Sequence, residues 1–254
     1  MTRLQALIFD VDGTLAETER DGHRPAFNRA FSDFGLDWDW SVDLYGELLE
    51  VAGGKERIRH FIERYQPFFQ AETDLADFCR SLHRAKTGHF KLILQEGAIP
   101  PRPGVLRLIR EAQQEGVRLA IATTSDPDNV LALLEAALAP DAPNWFEVIA
   151  AGDVIPVKKP APDIYLYALD QLGLSPEDCL AIEDSHQGLI SATRAGLKTV
   201  VTVNDYTRNH DLSAACLVLN HLGEPQLPFE VLDGETPSTP YFTLELAKYL
   251  ISAC

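Results

Sequence analysis

Short apolar runs alternate with segments of helical period along most of this 254-residue chain. The apolar runs, which are continuous and largely aliphatic, lie at residues 4–9, 117–122, 148–151, 179–182 and 199–203. The helix-period segments between them lie at 105–115, 129–138, 164–172 and 188–195. Continuous apolar runs are typical of parallel strands that are covered on both faces. Their alternation with helices predicts the α/β class, with a doubly wound, Rossmann-like parallel sheet and right-handed crossovers.

The stretch from residue 16 to residue 95 interrupts this alternation. It contains helical patterns at 26–34, 58–65 and 75–94 and no convincing strand, and it ends at a hinge rich in Pro and Gly, residues 97–104. We therefore expect a helical cap domain at 16–96, inserted after the first strand of a core domain formed by 1–15 and 97–254. Ligands bind beyond the carboxyl ends of the strands in such sheets, so the cap would cover the site as a lid.

The composition excludes several classes of partner. The formal net charge of −16 makes nucleic acid and anionic membrane surfaces poor partners. The four cysteines, Cys79, Cys179, Cys216 and Cys254, form no CxxC pair or zinc spacing, and no apolar stretch approaches membrane-spanning length. Because the first strand starts almost at the N-terminus, we expect no targeting peptide. These features predict a cytoplasmic protein in a reducing compartment.

Two aspartates separated by one residue follow the first predicted strand, in the run Asp10-Val-Asp12-Gly-Thr14. Residues two apart in a strand point to the same side, so both carboxylates can address one site. Burying these charges is costly unless a cation or a ligand compensates them. The pair therefore predicts a metal-assisted site in which one aspartate attacks an electrophile and the other moves a proton.

Polar residues also follow the second strand and precede the second helix of the core. Thr123-Thr124-Ser125-Asp126 places hydroxyls and amides where they can hold phosphate oxygens, although a plain helix N-cap has the same appearance. Lys159 lies in a loop stiffened by prolines, where it could neutralise an attacking carboxylate and a transferring phosphoryl group. The alternative for Lys159 is a solvated basic turn.

Glu183 and Asp184 follow the fourth predicted strand. Two adjacent carboxylates at this place could simply favour the start of a helix. Together with Asp10 and Asp12, however, they put four acidic groups at one edge of one sheet, which predicts a bound cation. Hard oxygen ligands select Mg²⁺.

These motifs together resemble the haloacid dehalogenase (HAD) superfamily over nearly the whole chain. The loop around Lys159 and the run Glu183-Asp-Ser-x-x-Gly188 resemble its β-phosphoglucomutase-like branch. Closer still, residues 152–165 and the run Gly53-Gly-Lys-Glu-Arg57 resemble the CbbY-type proteins, which are xylulose-1,5-bisphosphate phosphatases. The resemblance implies a HAD core with an inserted cap and hydrolysis of an inhibitor of Rubisco.

Carried over residue by residue, the resemblance implies a set of catalytic roles. Asp10 would be the nucleophile that becomes aspartyl-phosphate, and Asp12 would be the general acid and base. Thr123 and the amide of Thr124 would hold the phosphoryl group, while Lys159 would bridge the nucleophile and the phosphate. Phosphoryl transfer depends mostly on positioning and charge stabilisation, so these roles agree with the residue types.

The resemblance also implies metal ligands and weaker candidates in the cap. Asp10, Asp184 and the backbone carbonyl of Asp12 would bind Mg²⁺, with Glu183 joining or supporting them. The candidate contacts for the substrate are Glu17, His23, Lys55, Arg57, Thr124, Ser125 and Asp126. Lys55 would hold a distal phosphate, alone or with Arg57. Each of these three residues has a plain alternative. Lys55 would be a solvated surface lysine, His23 a surface histidine at a helix start, and Glu17 an acidic residue that favours a helix start.

The sequence predicts a monomeric, Mg²⁺-dependent phosphatase for a small phosphorylated sugar, with xylulose-1,5-bisphosphate as the preferred substrate. A phosphomutase with the same site is the alternative, although mutases of this branch often carry lysine where this chain has Asp126. A binding protein without turnover is the third possibility, but it would be expected to lack one of the four central residues. A dehalogenase would need neither Asp12 nor the metal.

Overall fold

The computed structural model describes residues 4–71, 73–97 and 99–253. The strands are β1 (Ala6–Phe9), β2 (Arg118–Thr123), β3 (Val148–Ala151), β4 (Cys179–Glu183), β5 (Lys198–Thr202), β6 (Leu217–Leu219) and β7 (Val231–Asp233). The α-helices are α1 (Arg24–Asp33), α2 (Val42–Leu48), α3 (Gly54–Tyr65), α4 (Leu75–Gln95), α5 (Val105–Glu115), α6 (Pro127–Leu133), α7 (Asp163–Leu172), α8 (His186–Arg194) and α9 (Leu244–Ala253). Shorter helical turns lie at Glu19–His23, Leu134–Leu138, Ala142–Trp145, Gly152–Val154 and Pro176–Asp178.

The strands form one sheet in the order β3-β2-β1-β4-β5-β6-β7, parallel from β3 through β6. In the sheet, β2 and β3 lie on one side of β1, and β4, β5 and β6 lie on its other side. The chain reverses its winding between β1 and β4, and this is where ligands bind in open α/β sheets. The doubly wound α/β fold is confirmed.

The central strand β1 is buried on both faces. Leu7 and Phe9 pack into one apolar cluster with Leu108 of α5, whereas Ala6 and Ile8 pack into the other cluster. All four residues of β1 are fully buried. A strand without a solvent face has no need of polar positions, which explains the continuous apolar run in the sequence.

The helices between β1 and β2 have an aromatic core of their own. The ring of Trp40 lies 4.5 Å from that of Phe27 and 4.9 Å from that of Phe31, measured between centroids. Tyr45 and Phe61 complete the same cluster. Because this core draws its fully buried members from α1 to α4 and the loops between them, we propose that residues 16–96 form a cap domain and that 1–15 with 97–254 form the core domain.

The chain enters and leaves the predicted cap at adjacent points. Ala16 forms an isolated antiparallel bridge with Pro101, and the Arg102 amide donates to the carbonyl of Leu15 at 2.9 Å. The two chain segments that connect the predicted cap to the core therefore run side by side next to the end of β1. Ala98, within the predicted hinge, and Cys254 lie outside the described residues.

The structure contains elements that the apolar pattern did not predict. The short helix α2 starts at Ser41, whose hydroxyl accepts a hydrogen bond from the Leu44 amide. Strands β6 and β7 have three residues each, too few for a periodic pattern, and β7 is antiparallel to β6. The predicted helix 129–138 is α6 followed by the π-helical turn Leu134–Leu138.

In residues 4–71, 73–97 and 99–253, every helix is too short or too polar to cross a membrane.

Candidate active site

The polar strand ends predicted from the sequence converge at one edge of the sheet. Phe9 is paired with Ile121 of β2 on one side and with Ile182 of β4 on the other. The residues that follow Phe9 and Ile182 therefore lie at the same level, and these are Asp10 and Glu183. Parallel pairing in register thus brings side chains more than 170 residues apart in sequence to one place.

Asp10 is buried and contacts a cation. Its Oδ1 accepts a hydrogen bond from Nζ of Lys159 at 2.7 Å, and its Oδ2 accepts one from Thr14 at 3.3 Å. Burial raises the pKa of Asp10 to about 7, and the Lys159 ammonium opposes this rise. The proton affinity of Asp10 is therefore controlled by Lys159 and by any further cation placed beside it.

Glu183 lies behind Lys159 and is fully buried. Its Oε1 accepts hydrogen bonds from Lys159 at 2.5 Å and from the hydroxyl of Tyr165 at 2.6 Å. A β-carbon at position 188 would lie 1.8 Å from Oε2 of Glu183, so Gly188 is required for this close approach. Glu183 therefore orients the lysine, and it does not line the cavity in front of Asp10.

Asp12 accepts hydrogen bonds from three side chains. Thr18 and Nε2 of His23 donate to its Oδ1, at 2.5 and 2.7 Å, and the hydroxyl of Ser125 donates to its Oδ2. Burial alone would raise the pKa of Asp12, but His23, Ser125 and Thr18 together lower it below the usual value. Asp12 is therefore held as a carboxylate in a defined orientation.

Three carboxyl groups gather at the floor of the site, and the ammonium of Lys159 pairs with two of them, Asp10 and Glu183. Oxygen atoms of Asp10, Glu183 and Asp184 lie within 4.8 Å of one another. Burial, followed by repulsion from Asp10 and Glu183, raises the pKa of Asp184 well above its usual value. Oδ2 of Asp184 accepts from Nδ2 of Asn204 at 2.7 Å, which orients the carboxylate. This excess of oxygen ligands and negative charge fits a hard divalent cation.

The cavity in front of Asp10 is lined from both the cap and the core. It brings together most of the residues predicted from the sequence, namely Asp10, Asp12, His23, Arg57, Thr123, Thr124, Ser125, Asp126, Lys159 and Asp184. Asp126 also starts α6, because its side chain accepts from the amide of Asp128 at 3.0 Å. Thr123 accepts from the Ser125 amide at 3.2 Å, which stabilises the turn after β2.

Two predicted substrate contacts lie elsewhere. The ammonium of Lys55 contacts the carboxylate of Asp153 on the core side, outside the cavity lining. Glu17 is half-exposed and forms an ion pair with Nε of Arg102 at 3.0 Å. In each case the side chain is paired with an oppositely charged neighbour and does not line this cavity, so its contact with a substrate stays a prediction.

Several residues of the site were not predicted. Lys86 lies at a buried position of α4 and donates to Nδ1 of His23 at 2.7 Å. Tyr45 donates to Glu19 at 2.5 Å and accepts from Nη1 of Arg57 at 3.0 Å. Nothing local in the sequence indicates these cap contacts, because they join separate helices.

Asn204 and Arg102 were also missed, but the sequence carries a hint of the first. Asn204 directly follows the predicted fifth strand, 199–203, as Asp10 follows the first, so extending the strand-end argument to the fifth strand would have found it. Arg102 lies in the hinge and donates to the carbonyls of Gly13, Thr202, Val203 and Asn220. Its guanidinium ties the turn after Asp12 to the ends of β5 and β6.

Comparison with known proteins shows the family to which the chain belongs. A family model described as haloacid dehalogenase-like hydrolase matches residues 4–196. Protein CbbY (plasmid) of Cupriavidus necator is 48% identical over 225 residues, which are 89% of this chain and 88% of the relative. Protein CbbY of Rhodobacter capsulatus is 51% identical over 212 residues, 84% of this chain and 91% of the relative.

A solved structure is similar over nearly its whole length. A mutant of CbbY from Rhodobacter sphaeroides in complex with xylulose-(1,5)bisphosphate is 45% identical, with a TM-score of 0.80 over 87% of this chain and 96% of that chain. This chain therefore belongs to the haloacid dehalogenase-like hydrolase family, and within it the chain is a phosphatase of the CbbY type.

Proposed function

We propose that this chain is a Mg²⁺-dependent sugar-phosphate phosphatase that hydrolyses xylulose-1,5-bisphosphate to xylulose 5-phosphate and phosphate. The observation that carries the proposal is the pairing of Asp10 with Lys159 at 2.7 Å, beside an Asp12 carboxylate held by three donors. One aspartate is thus poised to attack, and the other is oriented to transfer a proton.

The first chemical step forms a bond between an Asp10 oxygen and phosphorus. The bond from phosphorus to the sugar oxygen breaks, and that oxygen takes a proton from Asp12. The negative charge of a bound phosphate beside Asp12 raises the pKa of this carboxyl, so substrate binding favours the protonated form that the step needs. Lys159, with Thr123 and the amide of Thr124, stabilises the charge on the transferring group.

The second step returns the enzyme to its starting state. Water attacks the phosphorus of aspartyl-phosphate, Asp12 accepts its proton, and the bond to Asp10 breaks. The hydrogen bonds from Thr18, His23 and Ser125 favour the Asp12 carboxylate, which is the form that accepts a proton. Asp12 therefore serves both steps without moving away from its donors.

Asp10 and Asp184 would hold Mg²⁺, with Glu183 behind them and the carbonyl of Asp12 as a further ligand. When bound there, Mg²⁺ would neutralise negative charge on the transferring phosphoryl group and on the carboxylates. Asn204 orients Asp184 for this role through the hydrogen bond at 2.7 Å.

The cavity also favours an anionic sugar of limited size. Arg57 and Lys86 are buried cations in its lining, contributed by cap helices α3 and α4. A substrate with a second phosphate would meet Arg57 there. The complex of the Rhodobacter sphaeroides relative with xylulose-(1,5)bisphosphate supports the choice of this bisphosphate. We further propose that the protein acts as a monomer in the cytoplasm.

A phosphate-release assay over a panel of sugar phosphates, with and without EDTA, tests the proposal. We expect the highest kcat/KM on xylulose-1,5-bisphosphate, loss of activity with EDTA, and restoration by Mg²⁺. Asp10→Asn should abolish phosphate release, whereas Asp170→Asn, an exposed change on α7, should leave it intact.

Three results would contradict parts of the proposal. Full turnover by the Asp10→Asn protein would exclude the aspartyl-phosphate mechanism, and activity that ignores EDTA would exclude the metal. Conversion of glucose 1-phosphate into the 6-phosphate in the presence of a bisphosphate primer would identify a phosphomutase instead.

A further inference from the structure

The cavity wall carries a carboxylate that the proposed mechanism does not use. Glu19 lies in the helical turn Glu19–His23, which leads into α1, and it is half-buried and lines the same cavity as Asp10 and Asp12. A negative charge at this place repels the phosphate groups of a substrate. Its presence is therefore unfavourable for phosphate binding unless Glu19 makes another contact with the substrate.

The side chain of Glu19 is held at one of its two oxygens. Its Oε2 accepts a hydrogen bond from the hydroxyl of Tyr45 at 2.5 Å, and that hydroxyl accepts one from Nη1 of Arg57 at 3.0 Å. Tyr45 is fully buried in the cap, so this bond fixes the orientation of the carboxylate. No described residue donates to Oε1 of Glu19. One oxygen is thus anchored in the cap, and the other is available to a ligand in the cavity.

Glu19 lies beside the proposed general acid. A carboxylate oxygen of Glu19, one of Asp12 and a ring nitrogen of His23 lie within 4.8 Å of one another. In the proposed first step Asp12 gives a proton to the leaving sugar oxygen, so this oxygen must lie against Asp12. The sugar atoms next to the leaving oxygen then come within reach of Glu19. Its carboxylate therefore meets the sugar, whereas the transferring phosphoryl group lies at Asp10.

The chemistry of the carboxylate identifies its partner. Both of its oxygens accept hydrogen bonds, so a phosphate oxygen or a carbonyl oxygen, which are also acceptors, do not suit it. A metal ion shared with Asp12 does not suit it either. Asp12 already accepts hydrogen bonds from His23 and from two hydroxyl groups, and a metal ion at this place would have to break them. The donor that a sugar phosphate offers near its leaving oxygen is a hydroxyl.

We propose that Glu19 is a specificity-determining residue, and that its Oε1 accepts a hydrogen bond from a hydroxyl of the sugar near the leaving oxygen. This inference rests on the proposed function and adds to it the feature of the substrate that the site recognises. Glu19 makes the enzyme select polyhydroxylated phosphates over plain alkyl phosphates. An alkyl phosphate meets the repulsion of the carboxylate without the hydrogen bond that offsets it.

The test compares xylulose-1,5-bisphosphate with pentane-1,5-diol bisphosphate, which has the same chain length and both phosphates but no hydroxyl group. Both compounds offer a second phosphate to Arg57, so the comparison isolates the hydroxyl groups. We expect Glu19→Leu to lower kcat/KM on the sugar roughly 10- to 100-fold, the effect of one hydrogen bond to a charged group. The constant for competitive inhibition by the alkyl bisphosphate should not rise by more than about twofold.

Two further variants complete the test. Glu19→Gln keeps the volume of the side chain and a hydrogen bond with Tyr45, and it loses only the charge. We expect it to lower kcat/KM on the sugar by a smaller factor, roughly 3- to 10-fold, with the same inhibition constant, so it tests the inference even where the Leu variant does not fold. Asp21→Asn removes a charge from the same turn at an exposed position outside the cavity lining, and it should change neither constant.

The outcomes separate this inference from the proposed function. Equal weakening of both bisphosphates would overturn the role of Glu19, because it would show that the residue acts through Tyr45 and Arg57. No loss on the sugar in either Glu19 variant would overturn it as well. A higher Mg²⁺ requirement with unchanged discrimination between the two compounds would assign Glu19 to the metal instead. Each of these results leaves the proposed function standing, whereas a wild-type protein that hydrolyses no sugar phosphate would overturn both.

Discussion

The ammonium of Lys86 lies 2.7 Å from Nδ1 of His23, and both side chains are buried in the wall of the cavity. An ammonium only donates, so Nδ1 is the acceptor and the ring proton of His23 lies on Nε2. Nε2 in turn is 2.7 Å from Oδ1 of Asp12. A lysine on helix α4 thus determines the tautomer of the histidine that orients Asp12.

Lys86 lowers the stability of the folded protein at neutral pH. Burial lowers its pKa to about 8, although Asp12 opposes this. Below pH 8 both the folded and the unfolded chain carry the proton, so the full cost of the buried charge is present. The unfolded chain binds the proton more tightly, so this cost decreases as the pH rises from 8 towards 10.5.

We therefore expect Lys86→Met to raise the free energy of unfolding at pH 7 by roughly 1–3 kcal/mol. The same change should lower kcat, because His23 loses the donor that selects its tautomer. Urea unfolding of the wild-type and Lys86→Met proteins from pH 6 to pH 9 measures the difference between their free energies of unfolding. This difference should narrow above pH 8. A Lys86→Met protein that is less stable than the wild type at pH 7 would contradict this account.

The hydrogen bond from Asn204 to Asp184 should control metal affinity. Removing a residue that orients a metal ligand typically costs 10- to 100-fold in affinity, so Asn204→Ala should raise the Mg²⁺ concentration for half-maximal activity roughly by that factor. At saturating Mg²⁺ most of the activity should return. Asn209→Ala, an exposed asparagine in the same loop, is the control. An unchanged Mg²⁺ titration in the Asn204→Ala protein would argue against the assigned site.

Arg57, and not Lys55, should discriminate a bisphosphate from a monophosphate. Arg57 is buried in the cavity lining, where Leu48 and Tyr45 hold its guanidinium, whereas Lys55 is paired with Asp153 outside. We expect Arg57→Met to raise KM for xylulose-1,5-bisphosphate about 10- to 100-fold more than KM for a sugar monophosphate.

Lys55→Met serves as the comparison for that experiment. It should change both KM values equally and by no more than about twofold, because an ion pair at the surface contributes little. A selective loss on the bisphosphate in the Lys55→Met protein, with none in the Arg57→Met protein, would restore the assignment made from the sequence.

Arg102 should be important for folding as well as for the geometry of the site. Its guanidinium is buried and donates to four carbonyl groups, including that of Gly13. Arg102→Met leaves these acceptors and Glu17 without a partner, so we expect a loss of roughly 3–5 kcal/mol in the free energy of unfolding. Denaturant titration measures it. The matched change Arg59→Met, in an exposed pair with Glu63, should have little effect. Equal effects of the two changes would refute a special role for Arg102.

The sequence was most informative where the fold buries a segment on both faces. The runs that became β1, β2 and β4 are continuous and apolar because those strands have no solvent face. The polar residues directly after them, such as Asp10 and Asp184, could therefore be assigned to one edge of the sheet. Short elements such as α2 and β7 carried too few residues for a pattern, and tertiary contacts stabilise them.

By itself, then, the sequence determined the fold class and the convergence of Asp10, Asp12, Lys159 and Asp184 at the strand ends. Backbone pairing in register is sufficient to bring Asp10, Asp12 and Asp184 together, since a strand's end is set by its own residues, whereas Lys159 reaches them from the loop after β3. Only the tertiary structure decided which cap side chains face the cavity. The direction of a helical side chain depends on how the helices pack against each other, which is why Lys86 is next to His23 and Lys55 is next to Asp153.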